Sequence, residues 1–306
     1  MTTIFALRTR ALRLTTIALA ARSRQIIILN EAHHVPYDRV FAMHLARALR
    51  KEGFEYLACE TFLIDDDHVM QAGYVGEKTG VYSKEPMYAK FLLDAQKDGW
   101  KFVGYEASGL SRESGMAKNL ISRILASNPK AKIFIYAGYH HAMKRPASTA
   151  DDDDSWLAAQ LLRLTGINPL TVNQTTLYAH VDTPRQVLYY KHALRRLVGH
   201  NPVVLIGAKE KPVQLGLNSF AYDFEVVHPD YRDDPSTGRP EWLSKDFVPL
   251  DIPRDMIPTK SVRVIYAFPK GAAEDAVPLD VVMLHPGQRV PKLMLPPGDY
   301  AYEIED

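Results

Sequence analysis

The sequence predicts an α/β fold: a mostly parallel sheet sandwiched by helices, with a small C-terminal antiparallel β appendage. Three observations predict it. From residue 25 to about residue 207, short apolar runs alternate with helix-period stretches of about ten to fifteen residues, as in chains of βαβ units. The first run, Gln25–Asn30, is continuously apolar from Ile26 to Leu29, as for a strand covered on both faces. Beyond residue 207 the alternation stops, and three strand-like runs separated by Pro/Gly turns close the chain.

Each element has a local reason. Pro36 opens a helix whose Phe41, Leu45, Ala48 and Leu49 fall on one face before Gly53 stops it. Tyr56–Cys59 is the second strand, followed by a Tyr/Gly-rich excursion from Gly73 to Tyr82. Ser83 is the expected cap of a helix that turns Met87, Tyr88, Phe91, Leu92 and Ala95 inward and ends at Gly99. Lys101–Tyr105 reads as the third strand. The next helix, from about Glu113 to Ala126, buries Met116, Leu120, Ile121 and Ile124. Lys132–Tyr136 is the fourth strand. Ser155 is the expected cap of a helix carrying Trp156, Leu157, Leu161 and Leu162, which ends at Gly166. Leu170–Val172, a helix over Arg185–Val198 and Val203–Ile206 continue the alternation. Residues 208–260 read as long loops, and Val262–Ala267, Val281–Leu284 and Tyr300–Ile304 as the appendage.

The domains expected are therefore 1–24, an N-terminal helix; 25–207, the α/β core that carries the site; and 208–306, a loop-rich segment with a small β unit. Residues 1–24 hold Arg8, Arg10, Arg13, Arg22 and Arg24 and no acid, and Ala18-Leu19-Ala20 resembles a signal-peptidase site. A packed amphipathic helix in a cytoplasmic protein is the favoured reading, with export by a cleaved signal as its alternative. Hydrophobic residues at 46% and charged residues at 24% suit a globular core. Lys and Arg number 37 against 36 Asp and Glu, so net charge gives no case for nucleic acid. Cys59 stands alone, and no run reaches the ~18 apolar residues that a membrane span needs.

The functional signal lies at the strand ends. The first four strands are each followed at once by acid or histidine: Glu31, His33 and His34, then Glu60, then Glu106, then His140 and His141. The carboxyl ends of parallel strands share one edge, where ligands bind. Arg39, Tyr105 and Tyr139 are placed to support these residues or a substrate. Carboxylate and imidazole together activate water and protonate leaving groups. Glu31, His33, Glu60 and His140 are also of the types that ligate zinc, manganese or iron. Glu31 and Glu60, 29 residues apart, fit one βαβ unit, and their repulsion calls for a cation, Arg39 or a shared proton. No Gly-x-Ser-x-Gly elbow, Gly-x-Gly-x-x-Gly turn or Walker loop is present. Asp151–Asp154 reads as a solvated helix start.

Ile28-Leu29-Asn30-Glu31-Ala32-His33-His34 resembles the Gly-Glu-x-His or Gly-Glu-x-x-His opening of the erythromycin esterase-like, ChaN-like and TraB/Tiki-like proteins. Tyr56–Glu60 resembles their second-strand glutamate, Phe102–Glu106 a third acid position, and Ile135–Ala142 their later Gly-x-x-His strand end. The resemblance spans residues 25–175. Asn30 stands where those families carry Gly, and the doubled histidines leave open which one of each pair is matched. It implies a Glu/His hydrolytic site, metal-dependent proteolysis, or haem or iron binding, according to the branch. Three functions follow. The first is a hydrolase of small-molecule or peptide esters, lactones or amides, with Glu31 or Glu60 as base and His140 or His141 stabilising the oxyanion. The second is a haem- or metal-binding protein using His33, His34, His140 and His141. The third is an inactive scaffold whose appendage binds a partner. Since every clustered acid and histidine precedes residue 142, the appendage is expected to be dispensable for the site.

Overall fold

The computed structural model describes residues 10–62, 73–109, 111–144, 155–179, 184–195, 201–207, 210–215 and 219–306. Asp151–Asp154 and the last residues of the helix expected over 185–198 lie outside them. The elements of the core are β1 Arg10–Leu12, α1 Thr15–Ala21, β2 Ile26–Glu31, α2 Pro36–Lys51, β3 Tyr56–Cys59, α3 Pro86–Lys97 and β4 Lys101–Val103. Next come α4 Arg112–Leu120, prolonged by a π-turn over Ile121–Leu125, then β5 Ile133–Gly138 and α5 Leu157–Thr165. They are followed by β6 Leu170–Leu177, α6 Pro184–Leu194, β7 Val203–Ile206, β8 Pro212–Val213 and β9 Phe224–Val227.

These strands form one nine-stranded sheet in the order β1-β7-β9-β6-β2-β5-β3-β4, with β8 on β7. Pairing is parallel from β9 through β6, β2, β5 and β3 to β4, and antiparallel around β7. Strand alternation divides the core between two helical layers. Ile27, Leu29, Leu57, Phe134 and Tyr136 pack against α2 and α3. Ile26, Ile28, Ala58, Ile133 and Ile135, on the other face, pack against α4 and α5. This is the α/β sandwich that the alternation predicts.

Four local outcomes differ from the sequence reading. The cap of α3 is Glu85, whose carboxylate accepts the Tyr88 N–H; Pro86 fixes the first helical position, and Ser83 instead donates to the Gly80 carbonyl. Trp156 precedes α5, and the Glu113 carboxylate of α4 accepts the Leu157 N–H where Ser155 was expected to cap. β6 runs on through Asn173–Leu177, because its polar residues pair across to Asn30, Glu225 and His228. The main sheet also extends past residue 207: the apolar run Phe224–Val227 inserts as β9 between β6 and β7.

The remaining strands are short and antiparallel: β10 Asp233–Asp234 with β11 Arg239–Pro240, β12 Val248–Leu250 with β15 Leu293–Leu295, and β13 Arg263–Pro269 between β14 Asp280–Leu284 and β16 Tyr300–Glu305. Ile265, Ala267, Val282 and Leu284 form their own small core. Trp242, Val277 and Met294 pack into the main core instead. Ala18–Ala20 lie within α1, which buries Ile17, Ala18 and Ala21. No helix of the described residues is long and apolar enough to cross a membrane.

Candidate active site

β5 lies between β2 and β3, so the three strand ends that carry Glu31, Glu60 and the histidine pair are neighbours. Gly138 is in register with Glu31, and its N–H donates to Glu60 Oε2 across the other seam. The glycine is required by packing. A Cβ at residue 138 would stand 2.4 Å from His33 Nε2 and Cε1 and 3.1 Å from Glu60 Oε2.

The β2 half is built around a buried ion pair. Arg39, on the first turn of α2, donates from Nε to Glu31 Oε2 at 3.0 Å and from Nη2 to Glu31 Oε1 at 3.3 Å. Its other N–H groups reach Glu85 at 2.6 Å and the His33 carbonyl at 2.8 Å. Tyr136 donates to Glu31 Oε2 at 2.7 Å, and His33 Nδ1 sits 2.8 Å from Glu31 Oε1. Burial alone would raise the Glu31 carboxyl, but the bonds from His33, Arg39 and Tyr136 hold it below its ordinary range. The ionised Glu31 can only accept in this contact, so His33 Nδ1 donates to it, and in a neutral imidazole of that tautomer the lone pair is on Nε2. Nε2 has no hydrogen-bond partner among the described residues, and the side chain is 22% exposed. Tyr82 stacks on the imidazole at 3.8 Å between ring centroids, and Tyr139 meets it edge-on at 5.0 Å.

Arg112 at the start of α4 organises the β3 half. It donates to Glu106 from Nε at 2.8 Å and from Nη2 at 2.6 Å, and from Nη2 to Glu60 at 2.9 Å. His141 Nδ1 lies 2.9 Å from Glu113 Oε2 and Nε2 3.4 Å from Glu60 Oε1. Burial opposes charge on His141, yet Glu113 and Glu60 outweigh it and raise its pKa to about 9. The same contacts, with the Gly138 N–H, overcome burial at Glu60 and lower it to about 2. With both ring nitrogens protonated, the 3.2 Å approach of Arg112 Nη1 to His141 Nε2 is a contact between two cations, held by the carboxylates on either side. Arg112 keeps 36% of its side chain exposed.

A third group is buried behind these. Asp38 Oδ2 accepts the Ala32 N–H at 2.9 Å, and Oδ1 lies 3.5 Å from His228 Nε2. Burial drives both toward their neutral forms, Asp38 well up and His228 down to about 3. His228 continues through Gln174 to Asn30, whose side chain donates to the Tyr139 carbonyl at 2.6 Å. Tyr139 adopts φ +41°, a conformation uncommon for a residue with a Cβ.

The structure thus brings together Glu31, His33, Arg39, Glu60, Glu106 and His141. His34 and His140 are set apart from them. His34 is exposed, with Tyr139 OH 3.4 Å from its Nδ1, and His140 is exposed against Trp156. Tyr105 is fully buried, and its OH has no partner among the described residues. Glu31 and Glu60 share neither proton nor cation, each having its own guanidinium. The sequence does not single out Arg112, Glu113, Glu85, Tyr136, Asp38 and His228; Tyr82 belongs to the Gly/Tyr-rich excursion, whose Tyr74, Tyr82 and Tyr88 are legible as candidates to line a substrate lid. Arg112 and Glu113 had one sequence signal, as charges opening a helix directly after a strand end.

The donor set does not fit a divalent metal. Among the described residues, no group of three or more His, Cys, Asp or Glu side chains is disposed to hold an ion. Both Glu31 oxygens are taken by Arg39, Tyr136 and His33, Glu60 is taken by Arg112, Gly138 and His141, and His140 stands apart. His141, with both ring nitrogens engaged, is likewise unsuited as an axial haem ligand.

No family model and no curated protein matches the chain. Among solved structures it is similar to the type III effector HopBA1, at 11% identity and a TM-score of 0.41, over 60% of this chain and 94% of that one. It is similar to ChaN of Campylobacter jejuni, determined with cofacially bound haem, at 14% identity and a TM-score of 0.37, over 57% of this chain and 92% of that one. It also matches RRSP, a MARTX toxin effector domain from Vibrio vulnificus CMCP6, at 16% identity and a TM-score of 0.36, over 48% of this chain and 34% of that one.

Proposed function

We propose that the chain is a hydrolase of esters, lactones or amides in which His33 is the general base. The observation that supports this is the His33 Nδ1–Glu31 contact of 2.8 Å, with Glu31 fixed in turn by Arg39 and Tyr136. A buried, ionised carboxylate that orients an imidazole and leaves its second nitrogen free is the base-and-orienter arrangement of many hydrolytic sites. Neither glutamate suits the role of base, since the oxygens of each are already committed.

In this mechanism a water beside Nε2 gives its proton to His33 as its oxygen attacks the substrate carbonyl carbon. Glu31 then faces an imidazolium, which an ionised carboxylate stabilises. Arg112, partly exposed and bound to Glu60 on the neighbouring strand end, offers positive charge to the developing oxyanion. Collapse of the tetrahedral intermediate breaks the C–O or C–N bond, and the imidazolium proton goes to the leaving group. By spacing, Glu31-Ala32-His33 resembles the ChaN-like opening and His34 the esterase-like one, so the hydrolase reading rests on the contacts of His33.

The test is a panel of chromogenic esters, lactones and amides offered to the purified chain and to its His33→Ala variant. The variant is expected to lose about 10²–10⁴-fold in kcat on whichever substrate is turned over. Equal turnover by both proteins would remove His33 from the mechanism.

A further inference from the structure

Tyr82 closes one face of His33, and the loop that presents it is fixed at both ends. At the near end, the N–H groups of Tyr82 and Ser83 both donate to Thr61 Oγ1 at 3.1 Å, immediately after Glu60. Gly80 presses against the same residue so closely that a Cβ would lie 1.9 Å from the Thr61 carbonyl oxygen. At the far end the loop is joined to the C-terminal β segment. Glu77 N–H donates to the Asp275 carbonyl at 2.8 Å and Val277 N–H to the Val75 carbonyl at 2.9 Å, around an antiparallel bridge between Gly76 and Ala276. Tyr74 OH donates to the Asp275 carboxylate at 3.0 Å, and a Cβ on Gly76 would stand 2.8 Å from Asp275 Oδ2. Val75 and Val277 are both buried in the main core.

We propose that the segment Asp275–Val277 is a positioning element of the active site. It holds the 73–82 loop so that the Tyr82 ring sets the plane of the His33 imidazole and confines access to Nε2 to the side left open by Tyr139. Asp275 is a positioning residue in this account, since it acts through Tyr74 and the loop and touches neither the base nor a substrate. The proposal rests on the hydrolase reading for its kinetic consequence, but its structural content stands on the contacts alone. A surface loop that merely covers the sheet edge would need neither the ring-on-ring stacking nor strand-like pairing to a segment about 200 positions later in the chain.

The experiment compares Asp275→Ala, Asp275→Asn and Gly76→Val with the unaltered full-length chain. The first removes the acceptor of the Tyr74 hydroxyl, the second keeps an acceptor, and the third wedges the bridge apart. Two quantities are read: carbethoxylation of His33 by diethyl pyrocarbonate, followed by peptide mass spectrometry, and kcat and KM on a substrate found in the panel. Asp275→Ala and Gly76→Val are expected to speed modification of His33 several-fold. They should also lower kcat by about ten- to a hundredfold with a smaller change in KM, as misplacement of a base does. Asp275→Asn should behave as the unaltered chain. If Gly76→Val fails to fold, Asp275→Ala decides. Unchanged modification rate and kcat in a folded Asp275→Ala variant overturns the proposal. Faster modification in a chain that hydrolyses nothing supports the positioning element and counts against the hydrolase reading alone.

Discussion

Gly138 and His141 show how single residues set the terms of this site. Gly138 has φ −74°, so its conformation demands nothing special; the demand comes from the His33 ring lying where a methyl group would be. Gly138→Ala is expected to push His33 off Glu31, to cost about 1–3 kcal/mol of stability from overpacking, and to abolish turnover. A thermal melt and the substrate panel check both halves of that expectation. His141 governs the alkaline side. Its folded pKa of about 9 lies above its ordinary 6.5, so its contribution to stability is complete below about pH 6.5 and is lost as pH rises through about 9. Glu60, depressed to about 2 from 4.5, contributes above about pH 4.5 and loses its share as pH falls toward 2. The melting temperature should therefore fall between pH 6.5 and 9.5, and His141→Gln should flatten that fall. An identical decline in the variant would show that other groups cause it. Glu31 and Glu60 are legible in the sequence because each closes a strand-like run, and the His140–His141 pair because it follows another, without a sign of which of the two enters the site. Arg112 is not, since an arginine at a helix start reads as surface charge.

Among the elements, α3 is tied to the chemistry through its cap. Its cap Glu85 accepts the Tyr88 N–H at 3.0 Å and Arg39 Nη1 at 2.6 Å, so one carboxylate ends a helix and supports the Glu31 ion pair. Glu85→Ala should cost about 0.5–2 kcal/mol for the lost cap, and more because the buried Arg39 loses a partner. Glu85→Gln, which keeps an acceptor, should cost less. Chemical denaturation of both variants measures the difference, and equal losses would show that the charge of Glu85, rather than its acceptor oxygen, carries the whole effect. Element type was easy to read where both faces of a strand are apolar, as in β2 and β5. It was hard to read where polar residues pair with each other inside the sheet. Asn173, Gln174 and Thr175 in β6 look like a loop until Asn30, Glu225 and His228 are brought alongside.

At the scale of the whole molecule, the expectation of a dispensable appendage meets a continuous core. Trp242, Val277 and Met294, all beyond residue 207, pack with Tyr37, Phe41 and Tyr88 in the cluster behind the site. Sequence alternation could not show this, because contacts between residues more than 200 positions apart leave no period. Truncation after residue 260 removes Val277 and Met294 and uncovers Val75, so it should lower thermal stability sharply rather than leave a folded core. Circular dichroism melts of the truncated chain test this, and a melt equal to that of the full chain would show that the unit folds separately. The deep Asp38–His228 pair belongs to the same scale, since His228, directly after β9, joins a network that ends at the Tyr139 carbonyl.

The Gly138 amide has one more use. Its proton points at Glu60, and its α-carbon lies close against the Cε1–Nε2 edge of His33, so a single glycine signal in a heteronuclear spectrum sits at the junction of both halves. A charge-assisted bond draws that proton downfield, and the neighbouring imidazole makes the shift sensitive to the position of His33. Titrating the spectrum with acid, or with any compound that displaces His33, would move this resonance before any product had formed. The chain therefore carries its own reporter of occupancy, at a position where no label could be attached without destroying what it reports.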